Sequence, residues 1–183
     1  MQVGVAAGAL AIGGLVAVPA PAQAVPPNFI IVGPGCSLDD AIFSAQHDQS
    51  LSGCADGDSS RSDAIELPPG TYPGPFTIPY SSGGAVYLIG QQGEESTTIL
   101  DGAGSGTTLT VAQGAVVHLD NLTITGGIGA AGADAGTNDP GGAGGAGGIA
   151  NAGDLHLVHV AVTGNTGGAG GTGGHGGAGN DGG

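Results

Sequence analysis

Short runs of alternating apolar and polar residues make up much of the chain, and two of these runs are nearly the same. The first begins at Val117 and reads VHLDNLTITG, and the second begins 38 residues later, at Leu155, and reads LHLVHVAVTG. In both runs the apolar residues recur at every second position, which is the period of a β-strand with one buried face. The pattern therefore predicts equivalent strands at the two places.

The alternation changes phase once in each run, at Asp120-Asn121 in the first and at Val158-His159 in the second. An extra residue at that point would turn the chain and return the apolar row to the same side. Asn121 suits such a corner because Asn tolerates the left-handed backbone conformation. We therefore predict that each run is two short strands joined by a tight corner.

A unit of this kind cannot bury its apolar face alone, whereas stacked parallel copies can. Equivalent residues of neighbouring copies then lie about 4.8 Å apart. We expect two interior ladders, with Leu119 over Leu157 and Ile124 over Val162. The sequence thus predicts an all-β solenoid of parallel strands.

Glycine-rich segments follow both runs. The spacing of 38 residues between the two runs exceeds the roughly twenty-odd residues that one coil needs, and residues 127–148 are the surplus. We predict a disordered or loosely packed insertion that leaves and rejoins the stack at one corner, because loop-closure entropy rises slowly with length. Residues 164–183 have the same composition and are predicted to be a second insertion. A solenoid needs a polar or covering cap at its open end, and the sequence shows none after these residues. We therefore expect the natural protein to continue beyond Gly183.

The segment CSLDDAIFSAQ, which begins at Cys36, predicts one short helix. Ser37 is the expected N-cap, Asp40 closes a capping box, and Asp39 and Asp40 lie at the positive end of the helix dipole. A functional carboxylate pair is the alternative interpretation of the two acids, although the helix start accounts for them. One helix face carries the apolar residues Leu38, Ala41, Ile42 and Ala45.

An uncharged apolar run, residues 3–18, precedes two prolines and the small-residue motif Ala22-Gln23-Ala24. This order is typical of a secretory signal peptide, although no Lys or Arg precedes the apolar run. We predict that residues 1–24 are removed, that the mature chain begins at Val25, and that it has no membrane span. The protein is then expected outside the cell or on its surface.

Export would place Cys36 and Cys54 in an oxidising compartment, where an even pair of cysteines favours a disulfide. Closing a loop of this size stabilises the fold by about 3 kcal/mol in the chain-entropy model. Two thiols alone make a poor metal site, and a catalytic thiol would need a positioned histidine, for which only His47 is near. We predict an N-terminal cap in residues 25–64 with the helix and the disulfide, followed by solenoid coils in residues 65–183.

Composition narrows the classes of partner. The chain has 42 Gly, a single Lys or Arg, and a formal net charge of -14. Nucleic acids and anionic membranes are poor partners for it, because binding either requires Lys and Arg to neutralise phosphate. The excess of acidic residues favours solubility, with binding of Ca²⁺ as the alternative. At 183 residues the chain has room for one domain.

Three short motifs recur in a known group of proteins. The chain resembles the secreted right-handed parallel β-helix repeat proteins of bacteria, which are related to the polymorphic outer membrane proteins. Their opening commonly reads Cys-Ser/Thr-Leu-Arg-Glu-Ala-Ile, from which Asp39 and Asp40 depart. The matching residues are Cys36, Ser37, Leu38, Ala41 and Ile42 at the opening; Leu67, Pro68, Gly70, Thr71 and Tyr72; and Gly147, Gly148, Ile149, Asn151, Gly153, Thr163, Gly164 and Asn165.

The resemblance implies a right-handed parallel β-helix with a short N-terminal capping helix and Gly-rich loop insertions. It implies little about activity, because surface, adhesion and polysaccharide-related roles are only suspected for the group. The Phe-x-x-Asn repeats of its chlamydial branch are absent. The adhesin role of that branch is therefore carried over only weakly.

Parallel β-helices also include pectate lyases and polygalacturonases, so a carbohydrate-active enzyme is the competing hypothesis. The lyases resemble one another in using Ca²⁺ and a basic residue on a coil, whereas the one basic residue here, Arg61, lies in the disulfide-tied cap. Glycoside hydrolysis needs two carboxylates, and the triplet Gly174-His175-Gly176 arises easily in a glycine tract. We expect a non-catalytic protein, or else an enzyme whose catalytic coils lie beyond Gly183.

Some residues are candidates for binding. His118 and His156 would stack outward on adjacent coils and could share a metal, but no third ligand is assigned. Asp181, in GGAGNDGG, partly fits a Ca²⁺-binding repeat that needs stacked neighbours. Asn121, Asn151 and Asn165 are predicted to make corner hydrogen bonds. The threonines Thr123, Thr125 and Thr163 could line a carbohydrate-binding face, although strand propensity explains them equally well.

Overall fold

The computed structural model describes residues 27–80, 84–91, 97–137 and 139–174. Within these ranges the chain forms one α-helix and ten β-strands, in agreement with the predicted all-β class. The predicted signal peptide lies outside the described residues. In chain order the elements are β1 (Asn28–Ile31), α1 (Leu38–His47), β2 (Asp63–Leu67), β3 (Gly70–Pro73), β4 (Phe76–Ile78), β5 (Val86–Gly90), β6 (Thr98–Asp101), β7 (Leu109–Val111), β8 (Val116–Thr125), β9 (Ile149–Asn151) and β10 (Asp154–Val162).

The strands form two sheets, and all paired strands are parallel. The larger sheet has seven strands in the order β1-β2-β5-β8-β6-β3, with β10 also paired to β8, and the smaller one has the order β4-β7-β9. The first half of β8 pairs with β5 and its second half pairs with β6. Because one strand joins two rows in this way, the larger sheet is curled.

Side chains at equivalent positions lie in columns across the large sheet. Ile65 pairs with Leu88, Leu88 with Leu119, and Leu119 with Leu157. The register predicted from the two similar runs is confirmed, since Val117 pairs with Leu155, His118 with His156 and Ile124 with Val162. The period of two therefore specifies both the facing and the alignment of these strands.

The predicted corner is also present. Asn121 has a φ angle of 54° and His159 has a φ angle of 50°, so both adopt the left-handed conformation. Each residue interrupts the alternation of its strand at the same place in the register. The apolar row consequently continues on the same side of the sheet, with Leu119 before the corner and Leu122 after it, both fully buried.

The core lies between the sheets and is almost entirely aliphatic. Leu119 and Ile124 are fully buried, whereas their ladder partners on β10, Leu157 and Val162, are 46% and 47% exposed. The predicted ladders are thus correct in register, but the side chains of their last members, on β10, are about half exposed. The reason is that β10 is an edge strand, covered on one side only within the described residues.

Helix α1 caps the other end of this core. Ser37 is the N-cap, as predicted, and its hydroxyl accepts a hydrogen bond from the backbone N–H of Asp40 at 3.1 Å. The Asp40 carboxylate accepts a hydrogen bond from the Ser37 hydroxyl at 2.8 Å. In a standard capping box this carboxylate would accept from the backbone N–H of the N-cap residue. The predicted apolar face is buried, and Ser44 is buried with it.

A disulfide ties the helix to the following loop. Cys36 and Cys54 are bonded, with their Cα atoms 4.7 Å apart, which confirms the predicted pairing. Both cysteines belong to the same buried cluster as Leu38 and Ile30. The bridge therefore anchors a loop that has few apolar residues of its own.

Where the structure describes them, the glycine-rich segments are hydrogen-bonded to one another, so the expectation of disordered or loosely packed loops is wrong for these residues, while residues 175–183 of the second insertion lie outside the described part. Residues 127–137, 139–148 and 164–174, here called the first, second and third glycine segments, lie side by side and bond to one another at every third residue. The backbone N–H to carbonyl bonds run from Gly129, Gly132 and Ala135 to Thr166, Ala169 and Thr172, from Gly142 and Gly145 to Ala133 and Ala130, and from Gly168, Gly171 and Gly174 to Gly145, Gly142 and Asp139.

Apart from the Thr166 N–H, which donates to Gly127, each glycine segment donates to one neighbour and accepts from the other, which closes a triangular bundle. A period of three residues is that of the polyproline II helix, which has no internal hydrogen bonds and must find partners outside itself. A Cβ atom at Gly168 would overlap the carbonyl oxygen of Ala130, and one at Gly144 would overlap that of Gly168. Only glycine allows the three backbones to approach this closely.

Candidate functional site

The outer face of the large sheet carries a row of three stacked rings. Tyr87 on β5, His118 on β8 and His156 on β10 occupy one column of the register. The ring centroids of Tyr87 and His118 are 4.4 Å apart with 9° between the planes, and those of His118 and His156 are 4.5 Å apart with 7° between the planes. The predicted outward stacking of the two histidines is thus confirmed, and Tyr87 extends it.

Two carboxylates flank this row, which we call the ring row. His156 Nε2 lies 3.4 Å from Asp154 Oδ1 on the same strand, and His159 Nδ1 lies 3.5 Å from Asp120 Oδ1 on the neighbouring strand. The second distance is too long for a good hydrogen bond, so the buried Oδ1 of Asp120 has none. Three of the chain's five histidines consequently share one face with two acids.

The ring row affects the protonation of its central member. Burial between the neighbouring rings lowers the pKa of His118 from its ordinary value, and the nearby His156 lowers it further, while Asp154 acts in the opposite direction. The lowered pKa favours the neutral form of His118. A neutral imidazole offers one N–H donor and one nitrogen acceptor at its edge.

The ring row does not complete a metal site. Among the residues that the structure describes, no group of three or more His, Cys, Asp or Glu side chains is arranged to hold a metal ion. His118 and His156 lie together, but Asp181, the other predicted metal candidate, falls outside the described residues, as does His175. Binding of Ca²⁺ remains a prediction from the acidic composition.

The candidate threonines do not form a continuous row. Thr123 lies between Ile99 and Ala161 in its column, and Thr125 lies beside Asp101. Thr163 follows β10 and is exposed. The β8–β10 register, in which Val162 pairs with Ile124, places Thr163 opposite Thr125, whereas the partner of Thr123 on β10 is Ala161.

The asparagines at corners differ in their roles. Asn165 donates its side-chain amide to the carbonyls of Ile124 and Thr163 and accepts from the backbone N–H of Gly127. Asn151 accepts from the backbone N–H of Gly153 at 3.0 Å. The predicted side-chain to backbone bonds are present at these two positions, and Asn165 joins both long strands to the first glycine segment.

A cavity of about 520 Å³ opens beside the N-terminal cap. Its walls are mostly apolar, and the Asp39 carboxylate lies at its edge, where burial and the adjacent Asp40 raise the pKa of Asp39. Sequence reasoning did not find this cavity because its walls come from two separate segments. It is lined by Val32, Gly33, Pro34, Cys36, Ser37, Leu38, Asp39, Pro68, Tyr72, Pro73 and Phe76.

The one arginine of the chain is paired with a neighbouring acid. Arg61 is paired with Asp58 in the loop before β2. Hydrogen bonds from Ser60 and Arg61 lower the pKa of Asp58 to about 2. Arg61 therefore neutralises a neighbouring acid in the cap.

Comparison with family models, with curated proteins and with solved structures finds no match for this chain. Among the described residues, the one helix is too short to cross a membrane.

Proposed function

We propose that this chain is a secreted or cell-surface scaffold with a right-handed parallel β-helix fold, which binds a polysaccharide or a cell-surface partner without catalysing a reaction. One observation carries the proposal: the strands β2, β5, β8 and β10 keep a constant parallel register. A side chain repeated at one position of this register becomes a straight row on the surface. The ring row is such a surface, and a linear polymer is a partner of matching shape.

Two arguments support the right-handed winding. The first is the resemblance of residues 36–42 and 67–72 to β-helix repeat proteins. The second is general, since crossover connections between parallel strands of one sheet are right-handed in about 98% of cases. A crystal structure would test the winding directly, and a left-handed path would contradict it.

The chemistry of the ring row favours a neutral polysaccharide. Ring edges and the flanking carboxylates offer donors and acceptors for sugar hydroxyls. The formal net charge of -14 and the pairing of Arg61 with Asp58 leave no cationic side chain to attract an acidic polymer. The partner class is therefore an uncharged glycan with repeating hydroxyls.

Binding to insoluble glucans and chitin, compared with pectate and alginate, tests this function. The double variant Tyr87→Ala with His118→Ala should lose retention on the neutral polymers by about tenfold or more. The matched control is Gln113→Ala, which changes an exposed residue in the turn before β8 and should bind normally.

Equal retention of both variants would reject the ring row as the binding surface. Release of oligosaccharides from any polymer would instead favour an enzyme. N-terminal sequencing of protein recovered from the medium tests the predicted export separately, with Val25 as the expected first residue.

A further inference from the structure

The two acids at the start of α1 have different surroundings. The Asp40 carboxylate accepts a hydrogen bond from the Ser37 hydroxyl, whereas the Asp39 carboxylate has no hydrogen-bond or ion-pair partner in the part of the chain that the structure describes. Burial and the adjacent Asp40 raise the pKa of Asp39, as expected for a carboxylate that loses water without gaining a partner. The helix start therefore accounts for the contacts of Asp40 and leaves the charge of Asp39 uncompensated.

Asp39 borders the cavity of about 520 Å³ beside the N-terminal cap, which we call the cap cavity. Small organic ligands commonly occupy cavities of about 300–1,000 Å³ whose walls are mostly apolar and carry a few oriented polar groups. The walls of the cap cavity come from residues 32–39 and 68–76, all of them described, and neither end of the chain forms them. No histidine, lysine or arginine lines the cap cavity, so Asp39 is the one charged group at it.

The walls of the cap cavity are held in place by backbone and covalent bonds. The Gly33 N–H donates to the Cys36 carbonyl at 3.0 Å, and the Cys36 N–H donates to the Gly33 carbonyl at 2.9 Å. The disulfide ties Cys36 to Cys54. On the other wall the Tyr72 hydroxyl donates to the Pro68 carbonyl at 2.6 Å. A site that is formed before the ligand arrives loses less conformational entropy on binding.

Charge complementarity identifies the class of ligand. An anionic ligand would meet the unpaired carboxylate of Asp39 and a chain of formal net charge -14, whereas a cation would neutralise that carboxylate. An apolar body suits walls that include Leu38, Tyr72 and Phe76. We propose that the cap cavity binds a small organic cation, with its ammonium group at Asp39 and its apolar or aromatic body against the walls. This inference does not depend on the proposed function.

Calorimetric titration of the full chain with phenethylamine and with phenethyl alcohol tests the proposal, because the two probes share an aromatic body and differ in charge. The amine should bind about tenfold more tightly than the alcohol. Asp39→Asn keeps the size of the side chain and should weaken binding of the amine by about tenfold, with binding of the alcohol unchanged. The matched control is Asp40→Asn, which removes the same charge from a residue that does not line the cap cavity and should leave binding of the amine unchanged.

A second variant distinguishes the cap cavity from a general attraction of cations to an acidic surface. Gly33 lines the cavity, its backbone lies outside the left-handed region, and a Cβ atom there would meet no other atom within 4 Å. Gly33→Leu should therefore occupy the cavity and abolish binding of both probes while Asp39 is retained. The proposal is overturned by absence of amine binding to the unchanged chain, by equal binding of amine and alcohol, by amine binding that survives Gly33→Leu, or by equal effects of Asp39→Asn and Asp40→Asn.

Discussion

The imidazole rings of His118 and His156 stack with their centroids 4.5 Å apart and no carboxylate between them. The pKa of His118 is lowered from its ordinary value of 6.5 by burial and by His156. The unfolded chain therefore takes up a proton at this position before the folded chain does. This contribution to stability is complete above about pH 6.5 and is lost as the pH falls through the lower folded-state value.

Thermal unfolding at pH 7.5 and pH 5 measures that loss. The wild-type midpoint should be lower at pH 5 than at pH 7.5, because the unfolded chain binds the proton at His118 more readily. His118→Phe keeps a ring in the stack without a titrating group, so its midpoint should fall by less. The same drop in both proteins would assign the pH dependence to other residues.

Two aspartate substitutions at adjacent positions of β8 test which side chains point into the core and which point to the outer face. Leu119→Asp buries an unpaired carboxylate in the core and should destabilise the protein by more than about 4 kcal/mol. His118→Asp points to the outer face and should cost about 1 kcal/mol or less. Chemical denaturation gives both values, and similar costs would contradict the assigned faces.

Close packing of the glycine segments gives a sharper test, because neighbouring glycines differ in their surroundings. Gly168→Ala would overlap the carbonyl of Ala130 and should cost about 1–3 kcal/mol. Gly170→Ala meets no atom closer than 3.7 Å, the carbonyl oxygen of Gly142, and should be neutral or slightly stabilising. Thermal unfolding of the two variants distinguishes an ordered bundle from loose loops, for which the variants would behave alike.

Asn165 is expected to be the most sensitive polar residue at the junction of strands and bundle. Asn165→Ala removes bonds to Ile124, Thr163 and Gly127 and should cost about 2–3 kcal/mol. Asn151→Ala removes one hydrogen bond, the 3.0 Å bond from the Gly153 N–H, and should cost about 1 kcal/mol. Hydrogen exchange should show faster opening of the first glycine segment in Asn165→Ala alone.

The disulfide is expected to contribute about 2–5 kcal/mol, as is typical of small exported domains. Cys36→Ser with Cys54→Ser should lower the unfolding midpoint by the corresponding amount. Mass spectrometry of unreduced protein should recover Cys36 linked to Cys54. Two free thiols in secreted protein would contradict both the bridge and the argument for export.

The strand register could be predicted from the sequence because alternation has only two phases, and Leu119 and Leu157 can share a face in only one of them. The corner was predictable from the same break in phase, although His159 gives no residue-type signal for its left-handed conformation. The exposure of Leu157 was not predictable, because it depends on which strand lies at the sheet edge.

The glycine bundle was missed for a different reason. Glycine carries no apolar side chain, so segments that pack through glycine show no periodic pattern of apolar residues in the sequence. The signal that was available is the recurrence of glycine at every third position, as in Gly141, Gly144 and Gly147. The cavity beside the cap was equally hidden, since it joins residues near Leu38 to residues near Tyr72.

Threefold recurrence in the glycine segments sets a rule for how this part of the protein can change length. Each triplet advances a polyproline II helix by about 9 Å, and the cross-links between the segments recur with the same step. Insertion of whole triplets into all three glycine segments at once would lengthen the bundle and keep its hydrogen bonds in register. Insertion or deletion of one or two residues in a single glycine segment would shift its glycines out of register with both neighbouring segments.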